Sequence, residues 1–115
     1  MLKVKIVLDE EKINADAVYY PEEIRRVIDE AFFEQGIVKE GEHFYVGTGS
    51  DQDFGGLWAV NGALAKKAWF IKYVKEWLWY NSDDGKDEND FSIENIIEGF
   101  RKHRIGAFAY EQKAQ

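Results

Sequence analysis

The fold of this chain depends on residues 69–80, which read WFIKYVKEWLWY. Nine of these twelve residues are aromatic, β-branched or leucine, so the segment holds a large share of the hydrophobic surface. One helix through the segment would place charged side chains on every side and leave no apolar stripe to bury. Aromatic and β-branched residues instead favour extended backbone. We therefore predict a break near Lys67 and a strand from about Ala68 to Tyr80; the competing prediction is one continuous helix.

The rest of the chain alternates between strand and helix patterns. Apolar and polar residues alternate over residues 2–8, which predicts a half-buried strand. Pro21 suits the first position of a helix, and the apolar spacing after it predicts a helix that ends at Gly36. The other predicted elements are a strand at residues 43–46, a short middle helix at 54–64 capped by Asp53, and a helix at 92–104 capped by Ser92. A closing strand at 105–110 and a frayed end at 111–115 complete the chain.

These elements predict one α+β domain over residues 1–115. The expected architecture is a two-layer sandwich, ferredoxin-like or a near relative: a four-stranded sheet with two main helices on one face, and a short middle helix. Such a sandwich leaves the second face of its sheet uncovered. The strand through residues 69–80 carries rings on both sides, so whichever side packs on the helices, the other exposes aromatic residues. The two sides are Phe70, Lys72, Val74, Glu76, Leu78 and Tyr80, and Trp69, Ile71, Tyr73, Lys75, Trp77 and Trp79.

Composition restricts the classes of function. The chain has no cysteine, which removes disulfides, thiolate metal sites and thiol nucleophiles. A net charge of −7 argues against general affinity for nucleic acid or anionic membranes. No apolar stretch reaches the 18 residues of a membrane span, and no signal peptide pattern is present, so we expect a cytoplasmic protein.

Three features of the sequence suggest a ligand-binding or catalytic role, but we predict a structural role for each. The acidic loop of residues 83–90 lacks the spacing of an EF-hand and reads as a solvated loop. The sequence Gly47-Thr48-Gly49 lacks the remaining residues of a phosphate-binding motif and reads as a turn. The two histidines, His43 and His103, have no metal-binding or triad spacing. We therefore predict no metal, no cofactor and no catalytic residue, and consider an enzyme less probable than a non-enzymatic protein.

The exposed side of the aromatic strand is the predicted interaction surface, because monomers rarely expose such a patch. We expect contacts from four aromatic residues, with two lysines at the rim: Trp69, Tyr73, Trp77 and Trp79, and Lys72 and Lys75. The partner is an unidentified protein or a second copy; a homodimer burying about 1,600 Å² would hide several rings. The opposing interpretation is that the middle helix or the C-terminal tail folds over this face.

The sequence is also consistent with three other functions. The main alternative is a small enzyme or ligand-binding protein with a pocket near His43 and residues 47–56. Aromatic residues interleaved with lysines would also suit single-stranded nucleic acid. The acidic surface would suit a DNA mimic.

The chain resembles a group of small uncharacterised proteins encoded on conjugative elements of Gram-positive bacteria. The resemblance extends over nearly the whole chain and rests on the segments Val4 to Asp9, Asp53-Phe54, Trp58 to Val60, Trp77 to Gly85, Asp90-Phe91 and Ile93 to Lys102. The resemblance implies a bacterial cytoplasmic accessory protein. It implies no particular activity and no catalytic residue for this chain.

Overall fold

The computed structural model describes residues 1–111, which form one antiparallel sheet and a layer of helices. The strands are β1 (Leu2–Leu8), β2 (Val38–Glu40), β3 (Phe44–Val46), β4 (Val74–Asn81) and β5 (Ser92–Asn95). The helices are α1 (Glu10–Asp16), α2 (Pro21–Glu34), α3 (Asp53–Ala65), α4 (Ala68–Tyr73) and α5 (Ile96–Lys102), with a 3-10 helix at Gly106–Tyr110. Of the end predicted to fray, residues 112–115 lie outside the described residues.

The sheet has five strands in the order β2-β3-β1-β4-β5, so the first strand of the chain lies at its centre. Alternation along β1 buries Leu2, Val4 and Ile6 against the helices. The register with β4 places Val4 opposite Trp79 and Ile6 opposite Trp77. The α+β class and the strand over residues 2–8 are therefore confirmed.

The strand predicted over residues 68–80 forms only in the second half of this segment. Helix α3 ends at Ala65 and Lys67 is extended, which confirms the break. Residues 74–80 form a strand, but Ala68–Tyr73 form helix α4 instead. The helical turn places Phe70 and Tyr73, three residues apart, together in the core. Six residues are too few for the side-chain pattern alone to distinguish a short helix from a strand.

The four-stranded plan with two main helices is not confirmed. Neither strand β2 nor the helix at Glu10–Asp16 was predicted. Residues 92–95 form strand β5, so Asn95 rather than Ser92 caps α5, with its side chain accepting the Glu98 N–H at 3.1 Å. The predicted closing strand is the 3-10 helix. None of the helices within residues 1–111 is long and apolar enough to cross a membrane.

The second helix forms as its sequence predicts. It starts at Pro21, buries Ile24, Ile28 and Phe32, and is followed by Gly36 with a φ of 76°. The Ile37 N–H then donates to the Phe32 carbonyl at 3.1 Å, which closes the end of the helix. This turn brings the chain into β2 at the edge of the sheet.

Trp77 lies at the centre of the core between the sheet and the helices. Its ring centroid is 4.9 Å from that of Phe70 and 5.4 Å from that of Phe100, both in edge-to-face geometry. Its indole N–H donates to the Asn61 side chain at 3.0 Å, and Asn61 is completely buried. This polar contact fixes β4 against α3 within an apolar interior.

Candidate interaction face

The structure places most of the predicted contact residues in the interior. Trp77, Trp79 and Tyr73 are 0%, 4% and 2% exposed, and Trp69 is half-buried against the core. Only the predicted rim lysines, Lys72 and Lys75, are exposed. The helices cover the side of β4 that carries Trp77 and Trp79, because those residues lie opposite Ile6 and Val4 of β1. The predicted position of these aromatic residues on an exposed side of the strand is therefore corrected. Trp77 and Trp79 lie on the core side of β4, and the alternate residues of β4 face away from the helices.

The opposite side of the sheet is here called the open face. By strand register it comprises Lys3, Lys5, Val7, Val38, Glu40, Phe44, Val46, Glu76, Leu78, Tyr80, Ile93 and Asn95. None of these side chains belongs to the core between sheet and helices. The open face is therefore a second surface of the sheet, which the described helices leave uncovered, although Val46 on it is only 5% exposed.

A lysine and three rings occupy the centre of the open face. The Lys3 ammonium lies 4.7 Å from the ring centroid of Phe44, 5.6 Å from that of Tyr80 and 4.6 Å from that of Phe91. The rings of Phe44 and Tyr80 meet edge to face at 5.4 Å, and those of Tyr80 and Phe91 at 5.7 Å. Cation–π contacts therefore hold the positive charge of Lys3 over an aromatic cluster.

The remainder of the open face is mainly apolar. Val38 and Ile93, on the two outer strands, are 49% and 55% exposed. Lys5 lies 3.5 Å from Glu76, so this second central lysine has a carboxylate beside it. The open face carries two lysines, Lys3 and Lys5, and two carboxylates, Glu40 and Glu76, so its aromatic and apolar side chains rather than a net charge distinguish it.

A cleft of about 580 Å³ lies near His43, where the sequence places the alternative ligand site. The Tyr45 hydroxyl donates to Asp29 at 2.5 Å, and the Lys39 ammonium lies 3.0 Å from the same carboxylate. Burial and the hydrogen bond to Asp29 raise the pKa of Tyr45 far above its usual value. Residues 47–56 do not line this cleft.

The charged groups of the cleft near His43 are arranged in pairs. Arg25 pairs with Glu10, and His43 lies 3.7 Å from Glu42. Lys39 is paired with Asp29 in the same way. Because the Arg25 and Lys39 side chains each contact a carboxylate already, neither offers an unpaired positive charge to an anionic ligand.

The loop after β3 binds a carboxylate of the chain itself. The backbone N–H groups of Thr48 and Gly49 donate to Asp53 at 3.2 and 2.8 Å. Asp53 is almost completely buried at the start of α3, and it holds the loop rather than capping the helix as predicted. Two donors that could otherwise bind an external anion are therefore satisfied within the protein.

A groove of about 960 Å³ separates α1 from α4 and the 3-10 helix, and it includes the predicted rim residue Lys72. The Lys72 ammonium lies 3.0 Å from the carboxylate of Asp16, which also accepts a hydrogen bond from the Tyr73 hydroxyl at 2.8 Å. The hydrogen bonds from Tyr73 and then Lys72 lower the pKa of Asp16. These contacts link α1 to α4, and they predict a pH dependence of stability.

We expect the stabilisation from Asp16 to be complete above its ordinary pKa of 3.8 and to be lost as the pH falls below that value towards the lower folded pKa. Asp16→Asn removes this titration, so the stability gap between wild type and variant shrinks on acidification. Urea midpoints measured from pH 6 to pH 2.5 test this, and Tyr73→Phe is expected to weaken the same acid-dependent loss. A gap of equal size at both pH limits would contradict the assignment.

Fold and surface together define an α+β domain with one face of an antiparallel sheet left uncovered. No protein-family model matches the chain, and a search of curated proteins finds none that is similar to it. Within residues 1–111, no group of three or more His, Asp or Glu side chains is arranged to hold a metal ion.

The open face uses residues that the sequence analysis did not select. Lys3 and Phe44 belong to predicted strands, and Phe91 immediately precedes the helix predicted from Ser92. A signal for Lys3 was present, because the alternation in residues 2–8 that buries Val4 turns Lys3 and Lys5 the other way. Phe91 gave no such signal, because it reaches the face only through the loop that precedes β5.

Proposed function

We propose that this chain is a non-enzymatic protein-interaction module that binds its partner through the open face. The observation that carries the proposal is the apolar and aromatic field around Lys3 on the side of the sheet away from the helices. Exposed apolar patches of this kind mark docking surfaces in proteins of this size. Their anchors here are Phe44, Leu78, Tyr80, Phe91 and Ile93. We further propose, from the sequence resemblance, a cytoplasmic accessory role in a Gram-positive mobile element.

Variants of exposed residues test this function. Ile93→Glu places a charge on the open face, and we expect recovery of proteins co-purifying with the tagged chain to fall at least about tenfold, because an unpaired carboxylate must be desolvated. Phe54→Glu and Tyr110→Glu are matched controls, since their rings are 57% and 89% exposed outside this face. A partner set that survives Ile93→Glu, or is lost equally in the controls, would contradict the proposal.

A second copy of the chain is the simplest partner that the sequence suggests. Sedimentation equilibrium at high protein concentration measures this directly. A homodimer built on the open face would dissociate in the Ile93→Glu variant. If the wild-type chain is monomeric at every concentration, self-association is excluded.

The second candidate function is binding or turnover of a small molecule in the cleft near His43. Its volume of about 580 Å³ favours this candidate, because small-molecule sites usually measure roughly 300–1,000 Å³. The pairing of its charges favours a structural role for the same residues. Amide shifts confined to residues that line this cleft, such as Val7, Arg25 and His43, on titration with a metabolite library would support this candidate.

Nucleic acid and nucleic-acid mimicry are the remaining alternatives. Single-stranded nucleic acid would bind to Lys3 and the rings around it. The ion pair between Lys5 and Glu76 and the net charge of −7 both oppose binding of a polyanion. A mimic would instead compete with DNA for a DNA-binding protein through the acidic loop of residues 83–90.

A further inference from the structure

We propose that the groove between α1, α4 and the 3-10 helix binds a small organic phosphate, whose phosphate contacts the ammonium groups of Lys12 and Lys66. The groove measures about 960 Å³, within the range of roughly 300–1,000 Å³ that is usual for small-molecule sites. None of the residues that line it belongs to the open face. The inference therefore goes beyond the docking function and does not depend on it.

Basic side chains outnumber carboxylates in this groove. The carboxylates of its lining are Asp9 and Glu111, and the basic residues are Lys12, Lys66, Lys72 and Arg101. Asp16 adds a third carboxylate at the margin, because it contacts Lys72. Even with Asp16 included, the groove has an excess of positive charge in a chain whose net charge is −7. This local excess attracts anions, since charges elsewhere are screened beyond about 8 Å at physiological ionic strength.

Two of these basic side chains are neutralised within the protein. Arg101 donates to both carboxylate oxygens of Glu111, at 2.6 and 2.9 Å. The Lys72 ammonium lies 3.0 Å from Asp16. Because these contacts are already made, Arg101 and Lys72 border the groove without offering an unpaired charge to an added anion.

The other two basic side chains are available. Lys12 and Lys66 are exposed, and neither forms an ion pair with a carboxylate of residues 1–111. Asp9 is the lining carboxylate closest to Lys12 in sequence, and it accepts the backbone N–H of Lys12 at 3.1 Å as the cap of α1. An added anion can therefore bind both ammonium groups without breaking an ion pair of the described residues.

The two available lysines come from different elements that border the groove. Lys12 belongs to α1, whereas Lys66 follows the last residue of α3 and precedes α4. Gly106 packs so closely on the backbone at Lys66 that a Cβ atom on it would lie 3.0 Å from the Lys66 nitrogen. Next to Lys12, Ile13 is completely buried. Both lysines thus extend from fixed backbone into one groove, where their flexible side chains can bind the same anion.

The charge and the lining of the groove together define the ligand. A phosphate monoester carries close to two negative charges at neutral pH, because its second pKa is about 6. It therefore matches two ammonium groups better than a single carboxylate does. Ile71 and Val74 also line the groove, half-buried against the core, and they offer apolar contacts to the organic part of the ligand. Two lysines are too few for the repeated phosphates of a nucleic acid.

Isothermal titration of the full chain with paired probes tests the inference. Nucleoside monophosphates and sugar phosphates are each compared with the same molecule without its phosphate. We expect at least one phosphorylated probe to bind about tenfold tighter than its uncharged counterpart, because two charge-assisted contacts are added. The same probe should bind tighter than inorganic phosphate, because of its apolar contacts. Amide shifts should accompany binding at the groove residues Lys12, Ala68 and Ala107.

Charge variants of the protein locate the site. Lys12→Gln with Lys66→Gln is expected to lower the affinity for that probe about tenfold, because both ionic contacts are lost. Lys67→Gln with Lys86→Gln is the matched control, since it removes the same charge from exposed positions outside the groove. An equal loss of affinity in both double variants would show that the probe responds to net charge alone, which overturns the inference.

A variant of opposite sign separates binding from a structural role of the lysines. Asp16→Asn removes the carboxylate at the margin and releases Lys72, so we expect affinity for the probe to rise about twofold to fivefold. Circular dichroism verifies that the variant is folded. Weaker binding to a folded Asp16→Asn variant would contradict the positive charge of the groove as the source of affinity.

Failure of this inference is distinct from failure of the docking function. Binding of no phosphorylated probe, or equally tight binding of inorganic phosphate or succinate, overturns the organic phosphate site. So do amide shifts confined to the open face or to the cleft near His43. The docking function is tested separately by Ile93→Glu, at a residue that does not line the groove.

Discussion

Replacing Trp77 by alanine is expected to lower the free energy of unfolding by about 3–5 kcal/mol, the usual cost of removing a large buried aromatic side chain. Trp77 is completely buried and packs edge to face on Phe70 and Phe100. Its loss leaves a cavity at the junction of β4, α4 and α5. It also removes the hydrogen bond to Asn61, a buried side chain that then loses the donor to its Oδ1 atom. Urea denaturation followed by far-ultraviolet circular dichroism measures the change.

Two further variants separate packing from hydrogen bonding at this position. Trp77→Phe keeps a ring but leaves the Asn61 oxygen without its donor, so we expect a smaller loss of roughly 1–3 kcal/mol. Tyr110→Ala, at a side chain that is 89% exposed, should change stability by less than about 0.5 kcal/mol. A Trp77→Ala variant that loses no more than the Tyr110→Ala control would show that Trp77 is not a core residue.

The burial of Trp77 also shows which parts of the fold could be predicted from sequence. Local patterns were sufficient where one element has one apolar side, as in residues 2–8 and in the helix from Pro21 to Gly36. They were insufficient for Ala68–Tyr73, where five of the six residues are aromatic or apolar and suit either conformation. Strand β2 has only 3 residues, too few for a recognisable alternation.

The side of the sheet that carries the candidate site could not be predicted for a different reason. Both sides of β4 carry rings, so its own sequence does not say which side is buried. That choice is made by the register with β1, where Val4 lies opposite Trp79 and Lys3 opposite Tyr80. Register between strands more than 70 residues apart depends on long-range pairing, which a single sequence does not specify. The prediction of an uncovered sheet face could therefore be made, but its residues could not.

The packing of the C-terminal segment on α3 yields the second large expected effect. Gly106 has a φ of 60°, and a Cβ atom on it would overlap the Ala65 carbonyl and lie 2.6 Å from the Ala65 carbonyl carbon. Both groups are backbone, so neither can rotate away. We expect Gly106→Ala to displace the 3-10 helix, expose Phe108 and destabilise the protein by about 2–4 kcal/mol, from the left-handed conformation and the lost burial together.

A second glycine provides a matched control of opposite sign. Gly99 lies within α5, and a Cβ atom there would meet nothing within 4 Å. Gly99→Ala is therefore expected to stabilise the protein by about 0.5–1 kcal/mol through helix propensity. Thermal unfolding of both variants distinguishes the explanations. If Gly106→Ala is as stable as Gly99→Ala, the contact between the 3-10 helix and the end of α3 does not hold the helical layer together. The layer would then have to be held by its contacts with the sheet alone, chiefly those around Trp77 that the first prediction tests.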